Sequence, residues 1–243
     1  GDGSHEFIHK SVAIGQPYLV LHYEGGFDEV RGSNRLKCPT THYQGQTQHF
    51  RVFSTRHRFG VFGVNFYPYA TPLLFGAPGE SLTNSSNDFH DLLGNEAKEL
   101  EARMIDATDN TERMNILSSY VAKKMANKKY VDDHVILNAV RHVMNSPQNE
   151  TIAELAWKFN LSKRQFERKF KEYSGLEPKL FSRIARFQRA YRICQNKNQS
   201  LLQTALECGY FDQAHFNHEF KTFAGFPPSE IQLQRIYASY ELS

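Results

Sequence analysis

At 243 residues the chain is long enough for one or two domains that each bury a core, and 40% hydrophobic with 23% charged residues excludes disordered and fibrous classes. A net charge of +3 is too small to mark a nucleic-acid binder by its total, so the distribution of charge matters more. Three widely spaced cysteines, Cys38, Cys194 and Cys208, with no C-x-x-C pair, argue against a disulfide framework or structural zinc and fit a reducing cytoplasm.

The opening "GDGSHEF" has neither the basic nor the apolar region of a signal peptide and reads as an expression scar. No apolar run approaches the roughly 20 residues that a membrane-crossing helix needs. Strand-like segments follow at "PYLVLHY" (17–23), "HFRVFS" (49–54) and "FGVFGVNFYP" (59–68), where Phe62, Val64 and Phe66 alternate with smaller or polar neighbours. Glycine and proline punctuate them, so an antiparallel β-rich unit is predicted. From about residue 88 the period becomes helical, through Phe89, Leu92, Leu93, Ala97, Leu100 and Met104. Asp109 is placed to cap a second helix carrying Met114, Leu117, Val121 and Met125.

The basic, polar "KKMANKKY" (123–130) marks a boundary between residues 1–126 and 132–235, with 127–131 as linker. Beyond it the pattern is helical throughout. Asp132 or Asp133 can cap a helix with Ile136, Val140 and Val143 on one side, ended by "NSPQNE" (145–150). Thr151 with Glu154 has capping-box spacing at the head of "IAELAWKF". A tight turn, "NLS", leads to Ser162 as the next cap and to the basic helix "KRQFERKFKEYS". Two helices joined by a few residues, the second of them basic, outline a helix-turn-helix. The fold class predicted is α+β: a β-rich N-terminal domain followed by helices, then an all-α C-terminal domain of two helix-turn-helix units joined by a linker helix.

The second unit is a repeat of the first. Ala156, Asn160 and Leu161 correspond to Ala205, Gly209 and Tyr210, and after one inserted residue Phe166, Phe170, Gly175 and Pro178 correspond to Phe216, Phe220, Gly225 and Pro228. On the first basic helix Phe166, Phe170 and Tyr173 share one arc, while Arg164, Arg168 and Lys171 lie opposite with Glu167 beside them. In the second copy Ala214, His218 and Lys221 stand opposite Phe216, Phe220 and Phe223, with Asn217 alongside. Between the copies "EPKLFSRIARFQRAYRICQ" (177–195) has the length of one helix, whose arginines either touch phosphate or are solvated. A rigid spacer of this kind suits reading two consecutive major-groove segments about 34 Å apart.

Charge follows the same plan. Residues 1–130 hold 14 Lys plus Arg against 14 Asp plus Glu, whereas residues 162–192 hold ten cations against three acids. Any phosphate-binding surface is therefore expected there.

The motifs "IAELAWKFNLSKRQFERKFKEYSGLEP" and "LLQTALECGYFDQAHFNHEFKTFAGFPPSEI" resemble the double helix-turn-helix of the AraC/XylS transcription regulators. The resemblance implies a bacterial, cytoplasmic regulator, an activator by analogy, that binds double-stranded DNA as one protomer on an asymmetric site and recruits RNA polymerase. It implies base reading by Arg164, Glu167 and Arg168, then by Gln213, Ala214, Asn217 and His218, with Lys163, Lys171, His215 and Lys221 completing the DNA-binding set. Two positions depart from the family pattern: Thr204 replaces a branched apolar residue, and His218 stands where arginine is frequent. Residues 63–94 and the helices after them resemble a sensor domain of unassigned function found upstream of some such domains. That domain usually begins earlier, which implies missing or replaced first strands here.

The sensor's signal is left open between a small molecule and a protein partner, as is homodimerisation. Neither enzyme activity, cofactor nor metal is expected. His215 and His218 have a metal-compatible spacing but sit on a recognition helix. His22, His42, His49 and His57 read as satisfied or surface histidines, and Cys38, beside Pro39, has no activating cluster.

Overall fold

The structure is a computed structural model that describes residues 6–126, 133–145, 150–196 and 199–231; the expected linker 127–131 and Asp132 lie outside them. The N-terminal half forms two antiparallel four-stranded sheets. One has the order β1 (Phe7–Ser11), β6 (Arg51–Thr55), β3 (Asp28–Arg31), β4 (Asn34–Lys37). The other has β7 (Gly60–Asn65), β2 (Tyr18–Glu24), β5 (Thr41–Gln44), β8 (Ser86–Asp88). Of the scar-like opening, the described residues Glu6 and Phe7 belong to the fold. Glu6 pairs with Arg35 at 2.7 Å, and Phe7 begins β1 opposite Thr55.

Strand alternation explains the two faces of the second sheet. Leu19, Leu21, Tyr43 and Phe62 point towards the helices that follow, where they meet Phe89, Leu100, Met104 and Leu117 in one apolar cluster. Tyr18, Val20 and His22 point the other way, into the space between the sheets. The helical run expected from residue 88 is broken in two: α2 (Phe89–Leu93) and α3 (Asn95–Asp106) meet at Gly94, whose φ of 60° and ψ of −129° no helix accommodates. A short helix α1 (Ala70–Phe75) precedes them. Helix α4 (Asn110–Ala126) begins as predicted, with Glu112 N donating to the Asp109 carboxylate at 2.8 Å. Arg113 of α4 is buried but satisfied, donating to Met104 O and Ala107 O and lying over the Tyr23 ring.

The C-terminal half consists of α5 (His134–Asn145), α6 (Ile152–Lys158), α7 (Lys163–Ser174), α8 (Pro178–Gln195), α9 (Leu201–Glu207) and α10 (Gln213–Ala224). Capping boxes open α6, α7 and α9 through Thr151/Glu154, Ser162/Gln165 and Ser200/Gln203. Asp212 caps α10 by accepting from His215 N at 2.7 Å. Asp133 heads α5 but turns its carboxylate to Lys169 and to the Tyr173 hydroxyl on α7, tying the two helices together.

Linker helix α8 is buried on two sides. Phe181 packs edge-on against Phe170 of α7 at 5.3 Å, and two turns later Phe187 meets Phe220 of α10 at 5.2 Å. One apolar cluster therefore runs through both helix-turn-helix units, and it also takes in Val12, Ala13 and Tyr69 from the N-terminal half. Phe187→Ala should cost about 3–5 kcal/mol, read as a fall in the urea midpoint, because the ring is fully buried against Tyr191, Phe220 and Phe223 and its removal leaves a cavity among them.

Candidate nucleic-acid interface

Helix α7 separates its two sides sharply. Phe166 and Phe170 are fully buried and Tyr173 nearly so, while Lys163, Arg164 and Arg168 are exposed and Glu167 and Lys171 half-buried. Arg168 reaches Glu172 one turn on at 3.4 Å, and Lys171 reaches Glu177 at 2.9 Å; both pairs are solvent-facing and hold their cations weakly. Lys163 and Arg164 have no ion pair among the described residues. At the start of the helix they are free to meet an external anion, a position where backbone N–H groups add to the attraction.

Helix α10 offers a different surface. Ala214, His215, His218 and Lys221 are exposed, Gln213 and Asn217 are half-buried, and the side chains behind them, Phe216, Phe220 and Phe223, are buried. Asn217 sits deeper than the helical projection places it, with its Oδ1 buried and lacking a protein partner. His215 lies edge-on to the Tyr210 ring at 5.4 Å, which fixes it at the mouth of the turn rather than beside His218 as a metal ligand. The inserted residue of the second unit is Phe211, 87% exposed in the turn ahead of Asp212. Thr204 causes no defect: its buried hydroxyl donates to Ser200 O at 3.1 Å and accepts from Gln199.

Three of the linker-helix arginines are held by acids of the second unit, while Arg192 is exposed, as the solvated alternative has it. Arg183 and Arg186 both bind Glu219 of α10, each at 2.8 Å, and Glu219 is 2% exposed. Arg186 also lies over the Tyr210 ring at 4.3 Å, and Arg189 reaches Glu207 of α9. These cations brace the second unit against α8 and leave the basic surface concentrated on α7. Sequence reasoning missed Glu219 because a lone acid within a polar-looking helix gives no sign of which face its neighbours will cover.

The N-terminal half grips the C-caps of both recognition helices. Gly175, at φ 81° after α7, passes its carbonyl to the Thr83 hydroxyl at 2.7 Å, and a Cβ there would come within 2.8 Å of that oxygen. Gly225, at φ 79° after α10, lies under the Phe50 ring, 2.7 Å from where a Cβ would stand. The segment after β1 enters between α8 and α10. Ala13 N donates to Phe223 O at 3.1 Å, and Gln188 Nε2 donates to Ala13 O.

Between the sheets lies a cavity of about 470 Å³ lined by aromatic rings and by His9, His22 and His42. His22 and His42 stack at 5.6 Å. Burial pushes both imidazoles down to about 4, with His22 a further cause at His42, and burial also lowers His9. His49 and His57 lie at the surface. Sequence reading overlooked His9, although Phe7, His9 and Ser11 alternate as a strand face should. Cys38 is driven up to about 11, by burial first and by Glu29 next, which suppresses thiolate formation. No disulfide joins the cysteines, and among the described residues no group of three or more His, Cys, Asp or Glu side chains is arranged to hold a metal.

Residues 155–234 match a family profile described as a helix-turn-helix domain, and residues 2–88 match one described as a domain of unknown function. Among curated relatives, the regulator ArgR of Pseudomonas aeruginosa is 33% identical over 35% of this chain and 26% of its own length. The activator RhaS of Escherichia fergusonii is 29% identical over 42% of this chain and 36% of its own. The chain thus spans less than half the length of these relatives. Across both halves, a structure of ToxT from Vibrio cholerae aligns with 95% of this chain and 98% of its own at a TM-score of 0.54 and 12% identity, a likeness of fold alone. Another ToxT structure, at a TM-score of 0.51 and 12% identity over 96% of this chain and 97% of its own, holds an unsaturated fatty acid. The C-terminal region here is an AraC-type helix-turn-helix domain, and the whole has the two-part architecture of a β-rich region followed by helices.

The neutral, buried histidines set an acid limit on stability. Unfolded, they titrate near 6.5; folded, His22 and His42 do so near 4. The unfolded chain therefore binds more protons as pH falls below 6.5, and stability that is complete above that value declines until about 4, by at most about 1.4 kcal/mol per pH unit for each histidine. The paired carboxylates Glu29 and Asp133, whose values are lowered below the usual range, contribute only under about 4.5. Urea midpoints should fall between pH 6.5 and 5, and a His22→Phe, His42→Phe double variant should flatten that slope.

Proposed function

We propose that this chain is a sequence-specific DNA-binding transcription regulator, acting by binding rather than by catalysis, in which residues 132–235 read DNA and residues 1–126 control that reading. The observation that carries this is the pair of capped helices, α7 and α10, each presenting an exposed polar side and each fixed to α8 by buried aromatic rings. In this reading Arg164, Glu167 and Arg168 contact base edges in one major groove, with Lys163 and Lys171 on phosphate. Gln213, Ala214, Asn217 and His218 face the next groove, flanked by His215 and Lys221. Because the second surface carries little charge, it adds selectivity more than affinity. An activator that engages RNA polymerase is the form the RhaS likeness favours.

Control by a small molecule is supported by the cavity between the sheets, and a fatty acid held by the ToxT neighbour gives a precedent in a like fold. The route to DNA is short. Strand β1 contributes Phe7, His9 and Ser11 to the cavity wall and continues into Ala13, which is bonded to α8 and α10. A ligand that shifts β1 thereby biases the relative setting of the two recognition helices.

Selection of duplexes from a random pool, followed by binding measurements on the winner, tests the assignment. A two-part site is expected, sharper in the half read by α7. Arg164→Ala or Arg168→Ala should cost on the order of 1–3 kcal/mol and relax one base position. Lys171→Ala should weaken all sequences alike and reduce the salt slope by about one. Equal losses on selected and random DNA for both arginine variants would contradict base reading by α7.

A further inference from the structure

The inter-sheet cavity has a chemistry of its own. Residues 7, 9 and 11 of β1 and 18, 20 and 22 of β2 turn alternate side chains into it from opposite sheets. Among the described residues its lining contains histidine, tyrosine, asparagine and serine but no Lys, Arg, Asp or Glu. A carboxylate or ammonium taken into this space meets no charged side chain on the described lining, since the Arg51 and Glu29 that act on His42 from outside it are paired with each other, and an unpaired buried ion is far costlier than an unpaired neutral group. The hydrophobic part is a nest of rings: Phe59 stands 5.0 Å from Phe7 and 4.9 Å from Phe27, the latter edge-on.

Its polar part is unsatisfied. Among the described residues, both ring nitrogens of His22 are buried without a hydrogen-bond partner, and so is Nδ1 of His9. His42 is oriented by its Nδ1, which donates to Pro39 O at 3.4 Å and leaves Nε2 with a lone pair. A neutral imidazole needs one acceptor for its N–H and one donor for its bare nitrogen. His22 and His42, stacked beside each other, therefore require at least one N–H or O–H from whatever fills the space, and each buried group left unmet costs about 1–3 kcal/mol.

We infer that the cavity between the sheets is a binding site for an uncharged, ring-containing molecule bearing an N–H or O–H group, which hydrogen-bonds His22 and His42 and packs against Phe7, Phe27 and Phe59. The volume, about 470 Å³, holds a molecule of one to three fused rings. This deepens the sensor reading by naming its ligand class, and it departs from the anionic fatty acid of the ToxT neighbour.

The test uses the full chain without DNA and four probes: indole, 1-methylindole, which blocks the single donor, indole-5-carboxylate, which adds a charge, and oleate. Calorimetric titration should give indole at least about tenfold tighter binding than 1-methylindole or indole-5-carboxylate, the loss of one hydrogen bond in a closed site. In the unaltered protein the imidazole ¹⁵N resonance of His42 Nε2 should move upfield with indole and stay with 1-methylindole. A His42→Leu variant should bind the two indoles equally. The inference is overturned by no response to indole, by equal binding of both indoles with unmoved imidazole resonances, or by tighter binding of oleate or indole-5-carboxylate. Since DNA is absent, a chain that binds indole yet never alters DNA binding refutes the sensor reading and leaves the ligand class standing.

Discussion

Burial of α8 along two opposite sides is the constraint on which the architecture depends. A helix between two recognition modules can act as a solvated rod or as shared core, and here it is shared core: Phe181 joins the first unit, Phe187 joins the second, and Tyr191 stacks on Phe220 at 5.8 Å. Close packing makes such a core stiff, so the two units cannot rotate freely about their connection. The buried Glu219 adds direction to that packing. Two arginines from successive turns of α8 converge on it, and removing both strands its buried carboxylate without a counter-charge.

The N-terminal sheets act on the same rigid body at its most sensitive points. Each recognition helix ends in a left-handed glycine, and each of those glycines is pressed by a residue from the sheet half, Thr83 on Gly175 and Phe50 on Gly225. A side chain at either position meets both backbone strain and a clash. Arg141 of α5 adds a third anchor, donating to the Tyr69 hydroxyl and lying over the stacked rings of Tyr67 and Tyr69. The cavity borders this contact zone through β1, whose continuation is part of the helical core. The cavity and the setting of α7 and α10 therefore share a strand.

Much of the C-terminal half was legible because its signals are local. The capping box at Thr151 and the cap at Ser162 depend on residues within one turn, as does the Asp109 cap of α4 in the other half. The 3.6 period of Phe166, Phe170 and Tyr173 fixed the buried side of α7, and their counterparts in α10 followed from the repeat. The N-terminal half was legible as β-rich but not strand by strand: β3, β4 and β8 are short, polar segments, and β3 and β8 pair with β6 and β5, far away in sequence, while β4 hangs on β3 through a tight turn. Gly94 was hidden inside an apolar period that it interrupts without disturbing.

What the sequence alone determined is the run of helices in the C-terminal half and which side of α5, α7 and α10 faces inward, since propensity, capping and periodicity act over a few residues. The repeat, the basic bias of residues 162–192 and the family likeness followed from the same local information. Only the tertiary structure decided which cations remain available. It consumed Arg183 and Arg186 on Glu219, left Lys163 and Arg164 outside any ion pair among the described residues, and gathered His9, His22 and His42 from three strands into one cavity. Those outcomes depend on charges and rings brought together across 20 or more positions of chain by packing, and no pattern confined to a single helix or strand encodes them.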